Sequence, residues 1–447
     1  MLNRYSLIRA SGWAGLVLLL GIYAQMGPGA LQKVSLLLVI GGFAIAGLNW
    51  YEHRGGRSPS FLFLVFGCIF LCGRAFPSLV GDESQLAKIG FGNEYYVADE
   101  TVFEYAWLVL ASFFFVHFGS LIPQATRNIP KTSTRAARIY FIFFVLFLPL
   151  YLYKNISYLS YVMSSGGYLA IYQDSEFVEG VGLPIRAGAL LCMAAFTLYF
   201  FHETNRRRAR WSLLLFIVIF SSELLIGLRG KFFVVVLAFL FFYKIRFGGK
   251  FSLRGMLGLF VAIFILAIAI EIIRQGGSSI EGSFLMGFFV QQGVTAGVNL
   301  VVLDDLQYFA DNAGEYLVRQ FMVPFYAQPE VEQGWFLAND VSMLVMPAAY
   351  TLGFGTGSSY LAELVLLGSW AGVFIGSLSI GWMLSTLRRF HYGVMGALSF
   401  WVVCGLIYYP RTMLHDPIHN LMRYALPILF VAGCGWLVQR MMHQRAR

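Results

Sequence analysis

The sequence FFVVVLAFLFFY, residues 232–243, is an unbroken run of apolar and aromatic side chains. Hydrocarbon offers backbone amides no hydrogen-bond partners, so a segment that crosses a membrane must be a helix or a strand of a closed barrel. Barrel strands alternate between lipid-facing and lumen-facing side chains, and this run has no such alternation. It therefore predicts a membrane-spanning helix, and comparable runs recur along the whole chain.

Composition extends this prediction to all 447 residues, of which 58% are hydrophobic, 17% aromatic and only 12% charged. A chain of this composition would expose too much apolar surface to dissolve in water. We therefore expect an all-α polytopic membrane protein that forms one integral membrane domain over residues 1–447, with about twelve transmembrane helices. The predicted spans lie near residues 10–26, 34–50, 59–73, 102–122, 139–153, 187–201, 211–228, 232–243, 255–273, 359–386, 394–409 and 421–438.

The charges of the connecting segments predict how these spans are oriented. An even number of spans puts both termini on one side, and cytoplasmic termini place 21 of the 32 Lys and Arg residues on the cytoplasmic side. Among the acids, only Glu52 and Glu203 join them. The positive-inside rule expects this asymmetry of a multi-pass membrane protein. The net charge of +9 therefore indicates orientation and contact with anionic membrane lipid, and no nucleic-acid partner is expected.

Several kinds of function are disfavoured by the motifs that the sequence lacks. It contains no Gly-rich phosphate loop of the GxxxxGK type, so nucleotide hydrolysis is not expected. All five cysteines lie within predicted spans, so no disulfide framework is implied. An internal repeat of the kind that many transporters carry is not found either.

The longest connection on the predicted periplasmic side is residues 274–358. Connecting segments carry binding and catalytic residues more often than the elements that they join. Two stretches within this connection, Phe284–Leu303 and Tyr316–Tyr326, are apolar enough to form interfacial or re-entrant helices. The sequence thus predicts a long periplasmic segment on the working side of the protein.

Eleven basic residues fall outside the cytoplasmic segments, and six of them are candidates for a functional site on the predicted periplasmic side, where positive charge is disfavoured. Each one alone is compatible with a long cationic side chain that reaches the lipid headgroups, and this alternative stays open. As a set they predict a phosphate or diphosphate site, because a guanidinium group is always charged and matches phosphate with paired hydrogen bonds. The candidate diphosphate-binding residues are Arg229, Lys231, Arg274, Arg319, Arg411 and Arg423.

The last predicted periplasmic turn, Tyr408–Asn420, is the densest group of polar residues in the chain. His415 and His419 have the i, i+4 spacing of a zinc site, but Pro417 disturbs a helix there and no third ligand lies nearby in sequence. No metal site is therefore predicted. His415 and Asp416 are the candidate catalytic bases, and hydrogen bonding at a helix cap is their alternative role.

Some carboxylates lie inside predicted spans. Glu223 is six residues before Arg229, and Glu271 is three residues before Arg274. A buried acid is costly unless it has a partner, so an ion pair with a nearby arginine is expected for both, and a role as a general base is the alternative. For Glu363 the sequence leaves open whether the side chain faces a cavity or a neighbouring helix.

The C-terminal half carries several patterns in a fixed order. They are Gly-Leu-Arg-Gly (227–230), Ala-Asn-Asp (338–340), Gly-Phe-Gly-Thr-Gly-Ser-Ser-Tyr-Leu-Ala-Glu-Leu (353–364) and Gly-Ser-Trp-Ala-Gly (368–372). With Arg411 and Arg423 around the final turn, this series resembles the Wzy-type polymerases of O-antigen and related bacterial polysaccharides. The N-terminal half is similar to that family in its hydropathy only.

The resemblance implies a metal-independent glycosyltransferase without a cofactor, similar in architecture to the C-type glycosyltransferases. Its substrates would be undecaprenyl-diphosphate-linked oligosaccharides, and the growing chain would pass onto another lipid-linked repeat unit at the periplasmic face. The arginines would then neutralise the departing diphosphate, and His415 or Asp416 would take a proton from the acceptor hydroxyl. The resemblance leaves open whether a chain-length regulator is a partner.

Three rival functions remain. An O-antigen ligase would share the topology, the long periplasmic segment and the arginines, and would differ in its acceptor. A lipid-linked-oligosaccharide flippase is a transporter, for which charges at the bilayer centre and an internal repeat are expected. Metal-dependent C-type enzymes typically place an acidic pair in the first outer loop, and the loop Gly27–Lys33 contains no acid.

Overall fold

The computed structural model of the chain describes the greater part of its residues, and these fall into two compact units. Of residues 175, 178, 229 and 284–286 only the backbone is described. The described ranges are 30–53, 58–80, 86–89, 95–122, 133–165, 175–248, 284–322, 336–351 and 355–444, with the isolated positions 21, 254, 255, 258 and 265.

The first compact unit comprises Met1–Ala125, Ser279–Thr386 and Leu406–Asp416. Its strands Lys88–Ile89 and Tyr95–Tyr96 form an antiparallel pair, which is the one sheet among the described residues. A 3-10 turn covers Tyr409–Arg411. Its helices are Ala30–Glu52, Pro59–Phe70, Ala75–Val80, Asp99–Ser120, Phe284–Gln292, Val294–Asp304, Leu306–Ala310, Ala313–Met322, Leu337–Val345, Pro347–Thr351 and Tyr360–Leu387.

The second compact unit comprises Thr126–Ser278, Leu387–Gly405 and Pro417–Arg447. All secondary structure in its described part is helical, and it includes most of the helix Gly393–Tyr408 and of the helix Asp416–Gln444. Its other helices are Thr134–Ser164, Ser175–Gly180, Leu183–His202, Arg206–Phe220, Ser222–Leu225 and Arg229–Arg246.

Seven helices in the described part of the chain are long and apolar enough to cross a membrane. The prediction of an all-α polytopic membrane protein is thereby confirmed. The predicted span 59–73 is a shorter helix of 12 residues, Pro59–Phe70. The predicted spans 10–26 and 255–273 lie outside the described residues apart from isolated positions, so the number of twelve stays a prediction. The seven helices that are long and apolar enough to cross a membrane are Ala30–Glu52, Asp99–Ser120, Thr134–Ser164, Leu183–His202, Tyr360–Leu387, Gly393–Arg411 and Asp416–Gln444.

The run 232–243 is helical, as predicted, and aromatic rings surround it in the second compact unit. The ring of Phe239 lies 4.1 Å from that of Phe400 and 5.0 Å from that of Phe200, measured between centroids. Phe242 contacts Phe400 as well, at 6.0 Å. Such pairs add to the free energy gained by burying the rings. The run lacks polar residues because its helix is buried among aromatic side chains rather than half exposed.

The helix Tyr360–Leu387 does not run straight. Its dihedral angles leave the helical region at Gly368 and at Ser369, whose φ is 49°. The hydroxyl of Ser112 contacts the hydroxyls of both Tyr360 and Ser377. A continuous helix would separate two residues 17 positions apart by about 25 Å. The continuous helix expected over 359–386 is therefore replaced by a helical hairpin with the arms 360–367 and 370–387.

Glycine allows the two arms of this hairpin to touch. A Cβ atom on Gly372 would overlap the carbonyl oxygen of Leu364, and one on Gly376 would overlap the Leu364 side chain. Small residues four positions apart let helices in membranes approach at the level of their backbones. In the pattern Gly-Ser-Trp-Ala-Gly, the chain reverses at Gly368 and Ser369, and Gly372 lets the second arm contact the first.

Candidate functional site

Glu223 is a fully buried carboxylate at the centre of a polar cluster in the second compact unit. Its Oε2 accepts a hydrogen bond from Lys231 Nζ at 3.1 Å, and its Oε1 accepts one from the Tyr151 hydroxyl at 3.2 Å. Lys154 Nζ lies 3.9 Å from Oε1. The ion pair expected for this acid is present, but its described partners are lysines. We call these four residues the Glu223 cluster.

The turn that forms this cluster depends on Gly227. Its φ of +100° is in the left-handed region, which glycine adopts without a steric penalty. Its N–H donates to the carbonyl of Leu224 at 3.0 Å, and the N–H of Leu228 donates to the carbonyl of Glu223 at 2.9 Å. These two bonds form a Schellman motif, which ends a helix. The chain then reverses and brings Lys231 back beside Glu223.

Positive charge exceeds negative charge around the Glu223 cluster. Lys154 interacts electrostatically with Lys231 and Arg423 as well as with the carboxylate. Tyr158, one turn further along the same helix, interacts with Arg186, Arg423 and Lys231. Two lysines thus pair with one carboxylate, and two arginines lie within electrostatic range of the neighbouring Lys154 and Tyr158. An excess of positive charge of this kind creates a local potential that attracts anions.

Arg411 is held in a defined orientation in the first compact unit. Its Nη1 donates to Gln292 Oε1 at 2.8 Å, and its guanidinium lies 5.3 Å from the centroid of the Phe70 ring. An amide acceptor and a ring together restrict the plane of the guanidinium. A guanidinium fixed in this way is suited to bidentate binding of phosphate, because less rotamer entropy is lost when the ligand binds.

Glu363 lies in the first arm of the hairpin and is buried. Its Oε1 accepts a hydrogen bond from Ser358 Oγ at 2.6 Å, and its Oε2 accepts one from the N–H of Leu414 at 2.8 Å. The buried side chain of Gln320 lies near the same carboxyl group. We call these four residues the Glu363 cluster. It ties together the loop before the hairpin, the long segment 274–358 and the turn that carries Arg411.

His415 follows Leu414 directly and is buried, with 6% of its surface exposed. Burial lowers the pKa of His415 below the ordinary histidine value. The imidazole is therefore held neutral near pH 7, which is the form that accepts a proton. Its Nε2 lies 3.9 Å from Asp416 Oδ1, and Asp416 is close enough to Glu363 to interact with it electrostatically.

The helix Ala313–Met322 turns one face towards the interior of the first compact unit. Tyr316 and Gln320, four residues apart, are buried, and Tyr316 donates to Asp340 at 2.5 Å. Arg319 lies on another face and is paired with Glu315 at 2.7 Å. The buried face thus brings Gln320 to the Glu363 cluster, whereas the guanidinium of Arg319 lies in an ion pair at the surface.

The structure places five of the eight predicted site residues in two groups, and Arg319 belongs to neither of them. The side chain of Arg229 is not described, and Arg274 lies outside the described residues. That all six cations share one pocket stays a prediction. Lys231 and Arg423 lie at the Glu223 cluster, and Arg411, His415 and Asp416 lie in the turn beside the Glu363 cluster.

The sequence did not identify Lys154 as a partner of Glu223, which is 69 positions away. Lys154 follows the predicted span 139–153 and has the pattern of an ordinary headgroup contact there. A usable signal was present in the spacing of Tyr151, Lys154 and Asn155, which puts three polar side chains on one face of a helix. Asn155 also contacts the segment of Glu223, since its Nδ2 donates to Ser222 Oγ at 2.7 Å.

The comparison with protein families covers nearly the whole chain. A family model described as O-antigen polysaccharide polymerase Wzy matches residues 16–445. No curated protein and no solved structure matches the chain. The family match includes both clusters and the hairpin, and it extends the resemblance from the C-terminal motifs to the N-terminal half. The chain belongs to the O-antigen polysaccharide polymerase Wzy family.

Proposed function

We propose that the protein polymerises undecaprenyl-diphosphate-linked repeat units at the periplasmic face of the inner membrane, with both termini in the cytoplasm. The growing oligosaccharide is transferred from its lipid carrier onto a sugar of another lipid-linked unit. The observation that supports this most directly is the excess of cations around Glu223, because the leaving group of the reaction is a diphosphate. Family membership supports the polymerase activity in general.

The proposed step requires one base and a neutralising charge. A hydroxyl of the acceptor sugar attacks the anomeric carbon of the donor, the bond from that carbon to the diphosphate oxygen breaks, and the hydroxyl proton passes to His415 or Asp416. The diphosphate leaves with the electron pair of the broken bond. Arg229, Lys231, Arg274, Arg319, Arg411 and Arg423 are the proposed ligands of this diphosphate, with Lys154 added beside Lys231.

We infer that these cations do the work that a divalent metal ion does in other diphosphate-releasing enzymes. Arg411 supports this inference, since its guanidinium is already oriented by Gln292 and Phe70. A preoriented cation stabilises the charge that develops on the leaving group without reorganisation at the moment of reaction.

The experiment that tests the proposed function supplies purified protein with lipid-linked repeat units alone. A polymerase lengthens them into a ladder of products, which a gel resolves. A ligase gives no ladder until a lipid A core acceptor is added. A parallel assay with sealed vesicles tests transport, because a flippase moves the lipid-linked unit across the bilayer without joining two of them. Absence of a ladder together with either of the other results would contradict the proposal.

A further inference from the structure

A second group of cations lies in the second compact unit and includes none of the residues assigned to a site above. It is a cavity of about 440 Å³ lined by Arg206, Arg207, Arg210, Tyr243 and Lys244. Three of these residues begin the helix Arg206–Phe220 and two end the helix Arg229–Arg246. Four of the five lining side chains are cationic and none is acidic. Like charges that line one cavity repel each other, and a bound anion would relieve this repulsion.

Glu203 is the acidic residue nearest in sequence to this cavity, but it does not line the cavity and has other partners. Glu203 Oε1 accepts the N–H of Asn205 at 2.8 Å, and Glu203 Oε2 lies 3.6 Å from Nε of Arg208. Arg208 does not line the cavity. Glu203 is therefore engaged by its own turn and by the one arginine of the Arg-rich stretch that points away from the cavity.

The exposed face of the helix Arg206–Phe220 indicates what kind of anion reaches the cavity. Arg207, Trp211, Leu214 and Val218 are exposed and recur at helical spacing, so they form one stripe. Trp211 is 58% exposed, and the guanidinium of Arg210 lies 5.6 Å from its ring. Along this stripe the side chains change from cationic Arg207 through Trp211 to the aliphatic Leu214 and Val218. A phospholipid likewise changes from a charged headgroup to apolar acyl chains, and tryptophan is enriched in proteins at the boundary between the two.

We propose that this cavity binds the phosphate of an anionic phospholipid whose acyl chains lie along the exposed stripe. The guanidinium groups of Arg206, Arg207 and Arg210 bind the phosphate oxygens, while the Tyr243 hydroxyl donates to the backbone carbonyl of Arg206 at 3.4 Å and links the two helices beside the cavity. A soluble anion would use the cations and would gain nothing from the aliphatic part of the stripe. The site is distinct from the proposed diphosphate site and does not depend on the enzymatic assignment.

The test measures binding of phosphatidylglycerol to the full-length protein in neutral detergent micelles, by native mass spectrometry of the retained lipid. Phosphatidylcholine and inorganic phosphate are the comparison probes. We expect the double variant Arg207→Gln/Arg210→Gln to lose on the order of tenfold or more in affinity for phosphatidylglycerol. The double variant Arg207→Lys/Arg210→Lys should keep much of the affinity, since it keeps the charge.

A matched control removes the same charge from another exposed place. Arg135 contacts His443 at 3.0 Å, and Arg440 lies 5.4 Å from the ring of Trp436, so Arg135→Gln/Arg440→Gln also takes an arginine from beside a tryptophan. We expect this control to change the affinity by no more than about twofold. Equal losses in both glutamine variants would overturn the proposal. Three other results would overturn it as well: competition by millimolar inorganic phosphate, equal retention of phosphatidylcholine, or stronger binding of a poly-glutamate peptide than of phosphatidylglycerol.

Discussion

Three separate segments of the chain meet at one side chain, Glu363. Its two oxygens accept from Ser358 and from the backbone of Leu414, next to His415. In Glu363→Gln one oxygen becomes an amide nitrogen, which cannot accept a hydrogen bond, so one buried donor loses its partner at a cost of about 1–3 kcal/mol. Because Glu363 acts by positioning the turn of Arg411, we expect kcat to fall on the order of tenfold while KM changes little.

Kinetics of purified Glu363→Gln with lipid-linked repeat units check this prediction. The exposed Glu104 offers a matched control, since Glu104→Gln makes the same chemical change at the surface of the first compact unit. Glu363→Asp keeps a carboxyl group and should restore part of the rate. A glutamine variant with the kcat of the wild type would show that the turn does not need this carboxylate.

The lowered pKa of His415 makes a prediction about pH. The neutral imidazole is the form that accepts a proton, so the rate should fall as pH drops through this pKa, which burial places below the ordinary value of about 6.5. The acidic limb of the kcat/KM profile should therefore lie below pH 6.5. If His415 is the base, His415→Gln removes this limb along with most of the rate. If the limb stays unchanged in His415→Gln, the base is another group, and Asp416 becomes the candidate.

At the scale of the element, the hairpin 360–387 depends on the close approach at Gly372. A Cβ atom there would overlap the carbonyl oxygen of Leu364, which belongs to the backbone and cannot turn aside. We expect Gly372→Ala to lower the free energy of unfolding by about 1–3 kcal/mol. The control Gly47→Ala adds a methyl group where nothing lies within 4 Å, and it should be neutral or slightly stabilising. Thermal unfolding of both variants in one detergent measures the difference, and equal midpoints would contradict the hairpin.

Elements differ in how far the sequence predicts them. The helix Arg229–Arg246 follows from its apolar run alone, since hydropathy reports the surroundings of each side chain. The reversal at Gly368 does not follow in this way. Both arms of the hairpin are apolar, and the hydropathy of 360–387 is that of a single span. Only the tertiary contacts of Ser112 and Leu364 distinguish a hairpin from a straight helix.

For the whole molecule, the predicted membrane topology indicated which cations are candidate phosphate ligands. It did not predict which side chains contact and orient those cations. The charge asymmetry singled out Arg411 and Lys231 because they fall on the predicted periplasmic side. Their partners could not be predicted, since Gln292 is 119 positions from Arg411 and no local pattern joins them. For Lys231, charge on the predicted periplasmic face suggested phosphate, and the structure adds a direct pair with Glu223.

Metal independence is a property of the whole enzyme and is tested without any variant. If the cations neutralise the diphosphate by themselves, EDTA should leave the rate of polymerisation unchanged within about twofold. The assay uses purified protein and lipid-linked repeat units in buffer without added divalent ions. Loss of activity with EDTA and its return with magnesium or manganese would assign the neutralising charge to a metal ion.

In the proposed reaction, arginine side chains bind the diphosphate of the lipid-linked substrate. The most direct test is the product ladder formed by purified Arg229→Ala and Arg411→Ala variants that insert and accumulate like the wild type. We expect no long products from either alanine variant and only a weak ladder from Arg411→Lys, because an ammonium group lacks the paired donors of a guanidinium. Ladders of wild-type length and yield from both alanine variants would contradict this role of the arginines.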